Sequence, residues 1–356
     1  VLESRGSWRS AGGFLKRHRG DEIPSELWND WRWQFRNRIR TADGLTEYLA
    51  LRRGERLALN DVARAYRAAV TPYYASLLDA GNPLDPIRRQ CIPDPREIAS
   101  TRGAEDPLAE QTHSPVPGLI HRFRDRCLVV ATNRCAVYCR HCNRKRLWRE
   151  RERLLAPREL DAIAGYIECR PALREVILSG GDPLTLSDGR LERILERLRA
   201  IGHVEVLRIG SRMPVVLPMR VTQRLCRMLS AHRPLWLLTQ FNHPREITPA
   251  AAAACERLLE AGIPVLNQSV LLKGVNDDYR TLRELLYGLE RICVKPYYLF
   301  QCEDVKGTDH FRVDVRDGMR LMEKLWKTTS GICLPRYVAD MPGRKGKVPL
   351  QPASFL

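Results

Sequence analysis

Aromatic residues make up only 7% of the 356-residue sequence, and no apolar run approaches the ~20 residues of a membrane-spanning helix, so no membrane crossing is expected. The opening stretch VLESRGSWRSAGGFLKRHRG lacks the apolar core of a secretion signal. Cysteine occurs eleven times, an odd count without the dense spacing of a disulfide scaffold, which points to a reducing, cytoplasmic setting. Acid is in short supply: 42 acidic residues face 59 basic ones, for a formal net charge of +17. A basic surface attracts phosphate whatever its sequence. Here, however, the bases are dispersed rather than gathered in a tail, and arginine outnumbers lysine as GC-rich codon usage would make it. The charge is therefore not read as a nucleic-acid function. There is no low-complexity tract, and 44% hydrophobic residues suit a globular chain with a large core.

What the chain does contain is alternation. From about residue 127, short β-rich runs alternate with amphipathic helical patterns, the signature of parallel βα units. The six strand candidates are CLVVAT, EVILSG, VEVLRIGS, LWLLTQF, PVLNQSVLL and VKPYYLFQCE, separated by helices such as DGRLERILERLRAI and PAAAAACERLLEAG. Six units predict an α/β fold with an open, partial (β/α)6 barrel over residues 113–340. Residues 1–112 read as a mostly helical N-terminal segment and connector, and residues 341–356 as a short C-terminal segment. In WNDWRWQFRNRIRT, three tryptophans at helix-like spacing predict a packing helix. The Pro- and Asp-rich CIPDPREIASTRGAEDP is expected to wrap toward the barrel.

Chemistry in such barrels collects past the C-terminal ends of the strands. The loop after the first strand holds CAVYCRHCNRKRLW, where Cys135, Cys139 and Cys142 form C-x3-C-x2-C. That spacing lets three thiolates converge from one loop, and soft sulfur selects zinc or an iron–sulfur cluster. Structural zinc wants four ligands, and no fourth cysteine lies nearby, although His141 could compete for the place. Three thiolates on a four-iron cluster leave one iron open. That iron can chelate the amino and carboxylate groups of S-adenosylmethionine and make its sulfonium bond reducible by one electron. Buried inert thiols are the remaining alternative.

With these residues the chain resembles the lysine 2,3-aminomutase family of radical S-adenosylmethionine enzymes. The match runs, in order, through WNDWRWQFRNRI, EQTHSPVPGLIHRF, CAVYCRHCNRKR, LSGGDPL, RIGSRMPVV, FNHPREIT, NQSVLLKGVND, KPYYLFQCE and PGRKGK. The cysteine motif alone says only that an enzyme is of the radical type; the ordered set is specific. The resemblance implies a 4Fe-4S cluster on Cys135, Cys139 and Cys142, with S-adenosylmethionine and pyridoxal 5′-phosphate as the other cofactors. It puts Ser179, Gly180, Gly181 and Asp182 at the methionine end of S-adenosylmethionine. It pairs Arg144 with the substrate α-carboxylate, which a guanidinium fork suits. Lys347, the last lysine of PGRKGK, becomes the attachment point of pyridoxal phosphate. Arg122, Arg126 and Gln268 match positions that hold the cofactor phosphate, with Arg212 a weaker candidate for the same work. The electron is expected from a donor such as flavodoxin or ferredoxin.

The departures from the family are as informative. Two aspartates that hold the distal ammonium in the lysine enzymes appear here as Glu303 and Asp340, still acidic, which implies a substrate with a cationic tail. Phe123 and Phe300 stand where those enzymes carry tyrosines, removing two hydroxyls. Two glycines of the pyridoxal segment are replaced by Arg344 and Lys345. The sequence ends at Leu356 without the cysteine-bearing tail that closes an intersubunit zinc site, and Asp278 replaces that site's remaining cysteine, so no zinc is expected. Association into a homo-oligomer through other surfaces stays open.

Moving an amino group between adjacent carbons requires breaking an unactivated C–H bond and giving nitrogen a path across, which no side-chain base provides. The expected function is a 2,3-aminomutase for a free basic amino acid, narrowly L-arginine over L-lysine, because a guanidinium can donate forked hydrogen bonds to both acids. The alternatives are modification of a lysine on a translation factor, a radical enzyme acting on RNA, and a non-enzymatic zinc-binding module.

Overall fold

Leu119–Phe123 (β1) and Arg126–Thr132 (β2) pair antiparallel across a tight turn, and in β2 the Cys127, Val129 and Ala131 side chains are buried at alternate positions. This hairpin opens a sheet of nine strands in a computed structural model that describes residues 17–18, 21–341 and 346–350. The next strands are Glu175–Gly180 (β3), Val206–Gly210 (β4), Leu235–Thr239 (β5), Val265–Leu271 (β6) and Lys295–Gln301 (β7). Arg336–Asp340 (β8) and Lys347–Pro349 (β9) complete the sheet. Strand order follows chain order throughout; β2 to β8 are parallel, and β9 returns antiparallel on β8. The two end strands, β1 and β9, do not pair, so the barrel is open.

Six helices of eight residues or more link the parallel strands: Pro157–Glu168 (α1), Asp188–Arg199 (α2), Gln223–Ser230 (α3), Pro249–Glu260 (α4), Tyr279–Arg291 (α5) and Val315–Thr328 (α6). Each of the six expected strands is present, so the six βα units hold. The sheet is wider than expected by β8, a seventh parallel strand, and by the antiparallel strand at each end. The strands are two-faced. Val176, Leu178, Leu207 and Ile209 are fully buried on one face, while Ile177, Ser179, Arg208 and Gly210, the alternate positions, line an internal cavity.

Ahead of the sheet, helical segments are short, and among the described residues only Arg53–Ala65 runs beyond two turns. The tryptophan-rich stretch expected as one helix is two, Ser25–Asn29 and Trp31–Arg36. Asp30 separates them: its backbone is extended, and its carboxylate accepts the Arg32 N–H at 2.8 Å as a cap on the second helix. The packing role stands, with Trp28 buried and Trp31 and Trp33 against the same core. The connector reaches the barrel at Ala104, which bridges Val305 just past β7. Among the described residues no helix is long and apolar enough to cross a membrane.

Candidate active site

The cavity inside the sheet has a volume of about 610 Å³, and Cys135, Cys139 and Cys142 all line it. The cysteine loop is fastened from behind. Buried Glu97 of the connector accepts from Arg140 Nη2 at 2.6 Å and lies 2.7 Å from Lys145 Nζ, while the Tyr138 N–H donates to the Ala69 carbonyl at 3.1 Å and Arg38 donates to the Cys135 carbonyl. Burial, followed by the neighbouring thiols, pushes the Cys135 thiol well above its ordinary range and Cys142 to about 11. Such thiols are neutral alone and ionise on taking metal.

Ser179 to Asp182 form the turn that ends β3. Gly180 has φ +115°, and a Cβ there would lie 2.4 Å from the Thr132 carbonyl oxygen; a Cβ on Gly181 would meet the Arg134 carbonyl at the same distance. Both glycines are therefore required where the turn touches the start of the cysteine loop. The Asp182 carboxylate faces the protein: it accepts from Ser211 Oγ at 2.8 Å, the Arg212 N–H at 2.8 Å and the Leu184 N–H at 3.0 Å.

Arg212, expected at the cofactor phosphate, is held against the cysteine loop. Its Nη1 lies 2.8 Å from Cys139 Sγ, Nε donates to the Gln240 carbonyl at 3.0 Å, and Nη2 is held by Glu246 at 2.5 Å and Gln90 at 2.6 Å. These contacts account for the guanidinium at the cysteine end of the cavity.

Arg144, just beyond Cys142, is gripped by a buried acid. Its Nε and Nη2 donate to Glu110 at 3.0 and 2.7 Å, and Nη1 donates to Ser179 Oγ at 3.2 Å. Arg146 donates to the same carboxylate at 2.7 Å. Burial alone would push Glu110 up; the two arginines outweigh it and hold the carboxyl at about 2.

Glu303 follows β7 and faces the cavity, where its Oε1 accepts from Asn143 at 3.4 Å while the buried Oε2 has no hydrogen-bond partner among the described residues. Burial, and then the charge of Asp340, raise its carboxyl to about 7. Asp340, at the end of β8, is engaged: Arg122 Nη2 donates to it at 3.1 Å and Lys347 Nζ lies 3.9 Å away. Two residues assigned to separate tasks, Arg122 to phosphate and Asp340 to substrate, are thus an ion pair.

Lys347 on β9 sits among the rings of Phe123, Tyr298 and Phe300, each centred 5.6 Å from Nζ. Burial lowers its pKa; Asp340 opposes the shift, and Arg126, Arg208 and Arg122 reinforce it. Gln268 on β6 lines the same cavity. Asp278 caps α5 by accepting the Thr281 N–H at 3.0 Å. Arg344 and Lys345 lie outside the described residues.

Sequence reasoning missed Glu110 and Arg208. Glu110 stands in EQTHSPVPGLIHRF, but nothing local ties it to a partner 34 residues on. Arg208 left a signal: it is the one charge in VLRIG, and a lone charge in a central strand has to face a polar cavity.

A radical SAM superfamily model matches residues 129–286, from β2 to within α5. The L-lysine 2,3-aminomutase of Clostridium subterminale is 48% identical over 332 residues, covering 93% of this chain and 80% of that protein. The L-lysine 2,3-aminomutase of Bacillus subtilis is 43% identical, over 93% and 70%. The glutamate 2,3-aminomutase of Clostridioides difficile is 40% identical, over 92% and 78%. The chain belongs to the 2,3-aminomutase family of radical S-adenosylmethionine enzymes, isomerases that work with a four-iron cluster and S-adenosylmethionine.

Proposed function

We propose that this protein is a pyridoxal-phosphate-dependent 2,3-aminomutase for a free basic L-amino acid, L-arginine ahead of L-lysine, yielding the β-amino acid. The observation that carries the reading is Glu303: a buried carboxylate with an oxygen that has no hydrogen-bond partner among the described residues, in the same cavity as Arg144. An unpaired acid in a closed pocket penalises neutral and acidic tails and rewards a cation.

Both cofactor ends fit. Cys135, Cys139 and Cys142, three thiols around one cavity, would hold a four-iron cluster, which would supply the electron that cleaves S-adenosylmethionine. A lysine with a lowered pKa, facing three arginines, suits an aldehyde that carries a phosphate. When bound, these groups supply a carbon radical for hydrogen abstraction and a π-system through which nitrogen crosses.

The chain's own residues do the positioning. Arg144, fixed by Glu110, presents its remaining N–H groups to the substrate α-carboxylate. Glu303 takes the distal cation, so the substrate is held at both ends and one β-hydrogen is set in place. Asp340 balances Arg122 beside Lys347 and contributes negative charge to the tail pocket. Arg122, Arg126 and Gln268 serve the phosphate, with Arg208 added to them, and the Ser179–Asp182 turn shapes the wall beside the cysteines. The rings of Phe123, Tyr298 and Phe300 keep water from the lysine.

Arginine is placed first because its planar fork matches both oxygens of one carboxylate. Lysine is the second reading, favoured by the names of the relatives at 43 and 48% identity. Anaerobic incubation of the reconstituted protein with arginine, lysine and glutamate in separate tubes, followed by chromatography for β-isomers, tests the choice. β-Arginine is expected; β-glutamate as the main product would overturn the basic-substrate reading.

A further inference from the structure

Behind the cysteine loop, on the outside of the protein, lies a second concavity of about 740 Å³ that the catalytic reading leaves without a role. Five arginines line it: Arg40, Arg64, Arg67, Arg149 and Arg151. The one acid among its lining residues, Glu152, is already committed, accepting from the Tyr138 hydroxyl at 2.9 Å and lying within 4 Å of both Arg38 and Arg134. Arg64 and Arg149 each have an acid at the rim, Asp61 and Glu105, whereas Arg40, Arg67 and Arg151 form no ion pair among the described residues. The groove is therefore strongly cationic and accessible, with Arg40, Arg64 and Arg151 exposed.

Its floor is aromatic. Tyr138 and Trp148 pack edge to face, with centroids 5.4 Å apart, and Cys135 and Cys142 pack against the same small cluster. Trp148 lines both the groove and the catalytic cavity. One layer of side chains thus separates a positively charged external surface from the thiols, whereas the open inner side of the loop is given over to substrate and cofactors.

We propose that this groove docks a small acidic protein carrying a low-potential one-electron centre, which reduces the cluster through the Tyr138–Trp148 wall. In the step, one electron leaves the donor, which is oxidised, and enters the cluster, which is reduced; no bond forms or breaks. Complementary charge steers such encounters and makes their rate fall with salt. This inference rests on the cluster reading above.

The test uses the full-length reconstituted protein and the variant Arg40→Glu/Arg64→Glu/Arg151→Glu, with purified flavodoxin hydroquinone as the probe. Cluster reduction is followed by stopped-flow absorbance at several salt concentrations, beside reduction by photoreduced deazaflavin, a small neutral reductant. The parent rate with flavodoxin should fall with salt, and the variant should lose tenfold or more of it at low salt while the deazaflavin rate is kept. An unchanged flavodoxin rate in the variant overturns the docking site. So does loss of single-stranded RNA binding by the variant with its flavodoxin rate intact, which would make the groove a nucleic-acid surface. Absence of iron and sulfide from the parent protein would instead remove the cluster reading itself. Equal loss with both reductants, at full iron content, would mean that the substitutions damage the loop; the single variant Arg151→Glu then decides, and an unaltered flavodoxin rate in it counts against the proposal.

Discussion

Glu110 grips Arg144 from one side, taking Nε and Nη2 at 3.0 and 2.7 Å, so that the guanidinium plane is fixed before any substrate arrives. Its effect is on orientation, through the arginine. Glu110→Gln keeps the shape but loses the charge-assisted bonds, each worth about 1.5–3 kcal/mol. KM for the amino acid should rise roughly ten- to a hundredfold, with iron content unchanged and kcat less affected. Steady-state kinetics and iron analysis check this, and an unaltered KM would remove Glu110 from the site's machinery.

The second expectation concerns pH. Glu303 is raised to about 7 by burial and by Asp340, so the carboxylate form that attracts a cationic tail is lost as pH falls through that value. Affinity for the basic substrate should therefore weaken below pH 7 and level off above it. In Glu303→Gln the affinity should stay near the parent's low-pH level throughout and the inflection should vanish. Binding measured by calorimetry from pH 5.5 to 8.5 would show it; an inflection that persists in the variant assigns the titration elsewhere.

Lys347 should carry the pyridoxal group. Borohydride treatment of the loaded protein, followed by peptide mapping, is expected to put the label on Lys347, whose lowered pKa leaves more of the amine neutral and nucleophilic. A label on Lys345 would show that the altered PGRKGK loop has moved the attachment point.

Gly180→Ala should be costly although the side chain is small. The positive φ and the 2.4 Å approach to the Thr132 carbonyl force β3 away from the start of the cysteine loop. A loss of about 1–3 kcal/mol is expected from the strained backbone, read as a lower Tm. Iron retention should fall toward that of a Cys135→Ala/Cys139→Ala/Cys142→Ala protein. Unchanged Tm and iron content would mean that the turn and loop move freely.

The parts of this protein that were legible in its sequence are those with local signals. EVILSG became β3 residue for residue, because alternating apolar positions between a helix end and a glycine turn leave few other choices. β8 was missed because RYVAD is five residues long with a charge at each end, and only its neighbour β7 makes it a strand. Asp30 was misjudged within a helical pattern because a capping carboxylate and a helical one look alike until a turn is needed. Sequence spacing brought out Cys135, Cys139 and Cys142, all in one loop. It could not reveal that Arg212 reaches Cys139 from 73 residues away, or that Arg122 and Asp340 form an ion pair.

The unjoined ends of the sheet give the site two histories. Its cysteine end is one loop whose fastenings reach 43 to 97 positions along the chain, whereas its lysine end exists only when β1 meets β8 and β9, through a contact between residues 218 positions apart. Contacts of such separation are slow to form, since the loop-closure entropy is spent before they return anything. The half that makes a radical is therefore expected to be complete before the half that restrains one. A chain whose last strand is detached would keep the thiols in place and lose the lysine, and the expected result is an enzyme that consumes S-adenosylmethionine without moving an amino group.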